Sequence, residues 1–233
     1  MHDTWFKNLS ISPLFQGIDE AGLQDILACF QPHVAGFKKG EYICIEGDQQ
    51  TSIGVLLSGR LNIVRESITG NRQVMAILAP GDIFGEMAAF TDRKRWPASV
   101  TAVEVSEIMY IPIERFSVTC AKSCNSHAQL IRNMLQIISK KAMVLNRKVE
   151  YLTVKGMREK LCRYFIELYQ QKKLPTFEMD MNRNELADFL NVSRPSMSRE
   201  MGRMRDEGLI DFYRGSVRIL LPDELMQYCP EVI

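Results

Sequence analysis

Histidine is scarce in this chain: three residues in 233, at positions 2, 33 and 127, with no H-x-H pair. A metalloenzyme of the cupin type gathers several imidazole and carboxylate ligands at one site, so it fits this sequence badly. The six cysteines (29, 44, 120, 124, 162 and 229) are scattered and include no C-x-x-C pair. That pattern matches neither a disulfide framework nor a closed zinc site, and points to a reducing, cytoplasmic setting. No apolar run approaches the ~20 residues that cross a bilayer, and the opening Met1-His2-Asp3-Thr4-Trp5-Phe6-Lys7 lacks a signal-peptide pattern. A large charge excess is missing as well: 29 Lys and Arg against 28 Asp and Glu leave +1.

What is there has the composition of a folded protein of one large or two modest domains, with 46% apolar and 24% charged residues. The charge is unevenly spread. Residues 1–131 hold 11 Lys and Arg against 14 Asp and Glu, a balance of −3. Residues 132–173 hold 11 against 3, a balance of +8, which suits a phosphate-bearing partner near the back half.

Residues 182–206 read as two short helices joined by a tight turn. Asn182 with Glu185 forms a capping box, and Leu186, Phe189 and Leu190 follow at helical spacing. Asn191 suits the turn, Ser193 the next N-cap, and Pro195 the first helical turn. Met197, Met201 and Met204 give the second helix an inward face. Arg194, Ser196, Ser198, Arg199 and Arg203 are left pointing outward. A short basic face of this kind fits a major groove, where Arg can fork onto guanine and Ser can reach a base or phosphate. A solvated helical hairpin is the plainer alternative. Two strand patterns around Arg214-Gly215-Ser216 complete a winged helix-turn-helix, with Arg214 and Arg218 adding charge to the wing.

The front half has a different rhythm. Residues 1–36 read as amphipathic helix, with Leu23, Ile26, Leu27 and Phe30 inward. From Phe37, turn signals recur every 7–12 residues between short β-rich runs at 42–45, 53–57, 61–64, 73–78 and 99–111. Such spacing means a compact β-barrel or sandwich enclosing a small cavity. Residues 125–154 then form one long helix, in which Ala128, Ile131, Leu135, Ile138, Ala142, Leu145, Val149 and Leu152 alternate in steps of three and four. This is an a/d seam over four heptads and predicts a two-stranded coiled coil between two copies; a helix buried within one domain is the alternative. A second stripe, Leu130, Met134 and Ile137, can pack onto the β-rich half. Residues 153–156 break the pattern as a hinge. Another amphipathic helix follows, with Leu161, Phe165, Ile166 and Leu168 inward, up to the Leu174-Pro175 breaker.

The motifs Phe37-x-Lys39-Gly40-Glu41, Glu46-Gly47-Asp48, Leu57-Ser58-Gly59, Pro80-Gly81-Asp82 and Phe84-Gly85-Glu86-Met87 look like the glycine-punctuated pattern of a cyclic-nucleotide-binding domain. Joined to a C-terminal winged helix, the chain resembles the Crp/Fnr family of bacterial transcription regulators over nearly its whole length. The resemblance implies an α+β fold. It has a jelly-roll-like β-roll effector domain (1–124), a dimerisation helix and hinge (125–154) and a winged helix-turn-helix (155–233). It also implies DNA, a second copy of the chain, RNA polymerase and a small-molecule effector as partners, with no membrane and no catalysis. A cyclic-nucleotide-binding regulatory subunit acting on a protein partner is the competing reading, and leaves the winged helix without a purpose.

Carried over residue by residue, the resemblance places Arg183, Arg194, Pro195, Ser196, Ser198, Arg199 and Arg214 against DNA. Ile131, Leu135, Ile138, Leu145, Val149 and Leu152 fall in the dimer interface, and Gly85, Glu86, Met87, Arg95, Trp96 and Pro97 around the effector. In the family, the Gly-Glu pair faces a cyclic nucleotide, and an Arg-Ser pair about ten residues later neutralises its phosphate. Trp96 and Pro97 occupy those two positions here, with Arg95 one residue early. Leaving a phosphate without a partner costs several kcal/mol, so cyclic AMP is disfavoured and the effector stays open, a haem or redox signal included. Pro195 stands where many relatives carry a base-reading Glu. Cys29 alone cannot hold an iron–sulfur cluster. Cys120, Cys124 and His127, at i, i+4 and i+7, either form a metal or redox site or are buried structural residues. Met87 is a haem ligand or, more plainly, a core filler.

Overall fold

The computed structural model describes residues 2–66, 72–116 and 125–229, which fall into two compact units, Met1–Lys141 and Ala142–Ile233. The first opens with α1 (His2–Ile11), a 3-10 turn at Pro13–Phe15 and α2 (Glu20–Phe30). Eight strands follow: β1 (His33–Phe37), β2 (Tyr42–Cys44), β3 (Ser52–Ser58), β4 (Leu61–Glu66), β5 (Arg72–Leu78), β6 (Ile83–Phe84), β7 (Ser99–Ala102) and β8 (Ser106–Pro112). The short helix α3 (Glu86–Ala89) follows β6. The strands make two antiparallel four-stranded sheets, ordered β1-β8-β3-β6 and β2-β7-β4-β5.

Strand β3 shows why the roll closes. Its apolar run is continuous because both its faces are covered. Ile53, Val55 and Leu57 join a core with Leu23, Ile26 and Phe30 of α2. Leu56 turns the other way, into a core between the sheets with Leu61, Phe84, Trp96, Val100 and Tyr110. Gly54 sits where a Cβ would enter the Phe84 ring, so the β3–β6 approach requires glycine.

Two expectations are corrected here. The helical reading of residues 1–36 ends at Phe30. Gln31 is left-handed (φ 48°) and caps α2, Pro32 cannot continue it, and His33–Phe37 pairs antiparallel with β8. The run 99–111 is two strands in different sheets, β7 and β8, parted at 103–105. No Gly, Pro or Asn marks the turn at Val103-Glu104-Val105, so the sequence carries no turn signal there.

The helix α4 (Asn125–Thr153) begins in the first unit, where Leu130 and Met134 are buried against the roll. Asn133 Nδ2 donates to the carbonyls of Leu14 and Gln16 at 2.9 and 2.8 Å. The second unit contains the end of α4 and then α5 (Met157–Lys172), β9 (Thr176–Glu178), α6 (Arg183–Leu190), α7 (Arg194–Asp206), β10 (Ile210–Tyr213), β11 (Ser216–Ile219) and α8 (Pro222–Gln227). Its core gathers Tyr151, Leu161, Phe165, Leu186, Leu190, Met197, Met201, Met204 and Val217. The wing is a three-stranded sheet, β10-β11-β9; β9 was too short to register as a pattern.

Candidate nucleic-acid face and effector site

The helix-turn-helix is built by its caps. Asn182 Oδ1 accepts from the Glu185 amide at 3.1 Å, and Glu185 Oε2 accepts from the Asn182 amide at 2.8 Å, closing the capping box at the start of α6. Asn191 takes a left-handed φ of 53° at the turn, Ser193 caps α7, and Pro195 lies in its first turn. Met197, Met201 and Met204 are fully buried, which fixes the rotation of α7. Arg194, Pro195, Ser198, Arg199 and Arg203 are consequently exposed, with Ser196 half-buried. Arg199 Nη2 donates to Ser196 Oγ at 3.2 Å. Arg214 is exposed at the wing turn with φ 52°, its guanidinium 5.4 Å from the Tyr213 ring centre.

Arg183 is placed differently from the others. It is half-buried, with its guanidinium 4.9 Å from the Phe212 ring centre and against the Met201 sulfur. Burial, helped by the charge of Arg194, lowers its pKa. It ties α6 to the wing rather than standing on the exposed face.

In the first unit, the Phe84-Gly85-Glu86-Met87 motif spans the β6–α3 junction. Gly85 has φ 86°, and a Cβ there would lie 2.6 Å from both Gln50 Nε2 and Trp96 Cζ3. Gln50, fully buried, pins this junction by donating to the carbonyls of Gly85 (2.7 Å) and Ser52 (3.0 Å). Glu86 is 3% exposed, and its Oε1 accepts from Lys141 Nζ at 2.6 Å. Met87 is exposed.

The loop carrying Trp96 pairs with residues 47–50: the Trp96 amide donates to the Asp48 carbonyl, and Trp96 O accepts from the Gly47 amide. Alternation along this extended stretch sends Trp96 into the roll and Arg95 and Pro97 outward. Trp96 is buried with its ring 5.8 Å from that of Phe84, so it is part of the inter-sheet core. Arg95 Nη1 instead donates to the Gly47 carbonyl at 2.6 Å and is exposed.

On α4, Leu135, Leu145, Val149 and Leu152 are exposed. Ile131 and Ile138 are half-buried, Ile138 against the core of the first unit. His127 is buried with its ring 4.8 Å from Phe30, while Cys120 and Cys124 lie outside the described residues. Among the described residues, no group of three or more His, Cys, Asp or Glu could hold a metal ion. No helix among them is long and apolar enough to cross a membrane.

Lys141, Gln50 and Arg158 had no sequence signal as functional residues. Lys141 read as a charge flanking the seam, and Gln50 lies in a turn-rich loop without periodicity. Arg158 precedes its partners Glu200 and Glu207 by 42 and 49 positions.

A β-roll with a buried acid at its β6–α3 junction, followed by a basic recognition helix and wing, defines a DNA-binding transcription regulator with a small-molecule-type sensing domain. Residues 35–123 match the cyclic nucleotide-binding domain family and residues 159–228 the Crp-like helix-turn-helix domain family. The chain belongs to the Crp/Fnr family of transcription regulators. It is 24% identical over 208 residues to the cyclic AMP receptor protein of Thermus thermophilus, covering 89% of this chain and 92% of that one. It is also 24% identical over 229 residues to the transcriptional activator protein Anr of Pseudomonas aeruginosa, covering 94% and 90%. Among solved structures, the Thermus thermophilus catabolite activator protein superposes with a TM-score of 0.54 at 22% identity, covering 95% of this chain and all of that one.

Proposed function

We propose that two copies of the chain pair along α4 and present their α7 helices to successive major grooves of a palindromic operator, with an effector in the roll setting the geometry. One observation carries the DNA half: α7 is locked by three buried methionines so that Arg194, Ser198, Arg199 and Arg203 are exposed together. The exposed stripe of Leu135, Leu145, Val149 and Leu152 supports the pairing, since a water-facing a/d seam is stabilised by a second copy. Arg199 and Ser198 read base edges, Arg194 and Arg214 contact phosphates, and Pro195 removes an acid-to-base contact that relatives make.

Effector recognition centres on Glu86. Trp96 fills the space beside Gly85, Arg95 is turned away, and the cation at Glu86 is Lys141, whose charge Glu86 already takes up. Cyclic AMP therefore finds no free cation for its phosphate among these residues, and the reading is of a different effector. RNA polymerase is the onward partner of a regulator of this class.

Selection from a pool of random duplexes tests the whole reading. It should return a two-fold symmetric site whose affinity falls steeply with salt, and Arg199→Ala should weaken that site by about 1–3 kcal/mol while sparing the fold. Enrichment of no site, or affinity indifferent to salt, would refute it.

A further inference from the structure

Residues 174–233 carry 7 Arg and no Lys against 11 Asp and Glu, a balance of −4, so the segment that holds the helix-turn-helix and wing is acidic as a whole. A phosphate-binding face inside an acidic segment works only if the nearby carboxylates are answered from elsewhere. Two of them, Glu200 within α7 and Glu207 at its C-cap, meet one side chain from α5. Arg158 Nε donates to Glu200 Oε1 at 2.7 Å. Its Nη1 and Nη2 donate to the two oxygens of Glu207, each at 2.7 Å, and its guanidinium lies 5.5 Å from the Tyr228 ring centre. The second oxygen of Glu200 accepts from Arg203 Nη1 at 3.2 Å. Arg158 itself is largely covered and stands two residues past Gly156, the N-cap of α5.

We infer that Arg158 is a positioning residue for DNA reading: its fork takes up both oxygens of Glu207 and one of Glu200, which holds α7 on α5 and leaves Arg203 sharing Glu200 rather than answering it alone. The inference rests on the DNA reading above and extends it to a residue off the DNA face. The chemistry is specific to arginine. Three donors in one plane serve two carboxylates at once, which the single ammonium of lysine cannot reproduce. Without the fork, Arg203 alone answers Glu200 and is held to it more tightly, which weakens its pull on the phosphate backbone. Because Arg158 sits where the chain enters α5, the same contact makes α7 follow any rotation at residues 154–156.

The test uses the full chain and the duplex selected with the wild type, titrated over a series of salt concentrations with thermal midpoints measured in parallel. Arg158→Met should bind at least about tenfold more weakly, with a salt slope smaller by about one, the value of one lost phosphate contact. Arg158→Lys should fall between it and the wild type, and carries the test if the Met variant does not fold. Arg158→Met combined with Glu200→Gln and Glu207→Gln should recover the wild-type salt slope, since Arg203 is then released. Wild-type affinity and slope in both Arg158 variants would overturn the inference, as would a combined variant no better than Arg158→Met. A wild-type chain that binds no duplex counts against the DNA reading itself, a separate result.

Discussion

Replacing Lys141 by Met removes one charge from the ion pair with Glu86 and keeps most of the side chain's length. The geometry sets the size of the effect. Glu86 is almost wholly buried, whereas the Lys141 side chain is 45% exposed. Breaking a fully buried pair costs about 3–5 kcal/mol, and breaking an exposed pair about 0–1. With one partner in each environment, Lys141→Met should destabilise the first unit by roughly 1–3 kcal/mol, at about 2–4 °C in midpoint for each kcal/mol. The cost lies in the stranded carboxylate, so adding Glu86→Gln should return most of the loss. Both tryptophans, Trp5 and Trp96, lie in the first unit, so their emission during urea unfolding follows that unit alone. A single variant with an unchanged midpoint would refute the account. A double variant no more stable than Lys141→Met would show that the lysine acts through packing of its stem instead.

Three further outcomes follow from the same contacts. Gly85→Ala should cost about 2–5 kcal/mol, about 1–2 from the left-handed backbone and the rest from pushing on Trp96 and Gln50; a chain unfolding at the wild-type urea midpoint would contradict it. Leu145→Lys, on the exposed seam, should yield monomers by sedimentation with folding intact, and a tight dimer would place the interface elsewhere. Glu207 has its pKa lowered by the hydrogen bonds from Arg158, so the stability of that contact is present at neutral pH and is lost as pH falls below about 4.5. Urea midpoints measured from pH 6 down to about pH 3 should show a shallower acid decline in Arg158→Met, and identical declines would remove the contact from the ledger.

The legible parts were those governed by short-range rules. The capping box at Asn182 and Glu185, the Ser193 cap and the three-methionine stripe are all decided within one helix, and α6 and α7 form where these residues stand. The stripe of Leu130 and Met134 was equally readable, because a helix face shows in its period. What stayed hidden depends on distant partners. The β7–β8 turn carries no Gly, Pro or Asn, so its place is set by the pairing of β7 and β8 into different sheets. At the effector site, the spacing of Arg95, Trp96 and Pro97 framed the question of which residue points inward. The answer came from pairing with residues 47–50, which sets the parity of the strand.

The charge pattern shows the same division between short-range and distant partners. Residues 132–173 carry a balance of +8, which suits a phosphate-bearing partner near the back half. Seven of the 11 cations there are engaged within the chain, Arg132 by a hydrogen bond to Gln129. Lys141 meets Glu86, Arg147 meets Glu167, and Arg163 meets both Glu150 and Glu167. Arg158 meets Glu200 and Glu207, Lys172 meets Asp180, and Lys160 donates to the Leu190 carbonyl. The surplus on α4 and α5 thus answers carboxylates in both units, three of them in the acidic segment beyond residue 173. On α7 and the wing, by contrast, Arg194, Arg199, Arg203, Arg214 and Arg218 are each exposed. Affinity for DNA should accordingly respond to these five arginines far more than to the richer basic stretch before them.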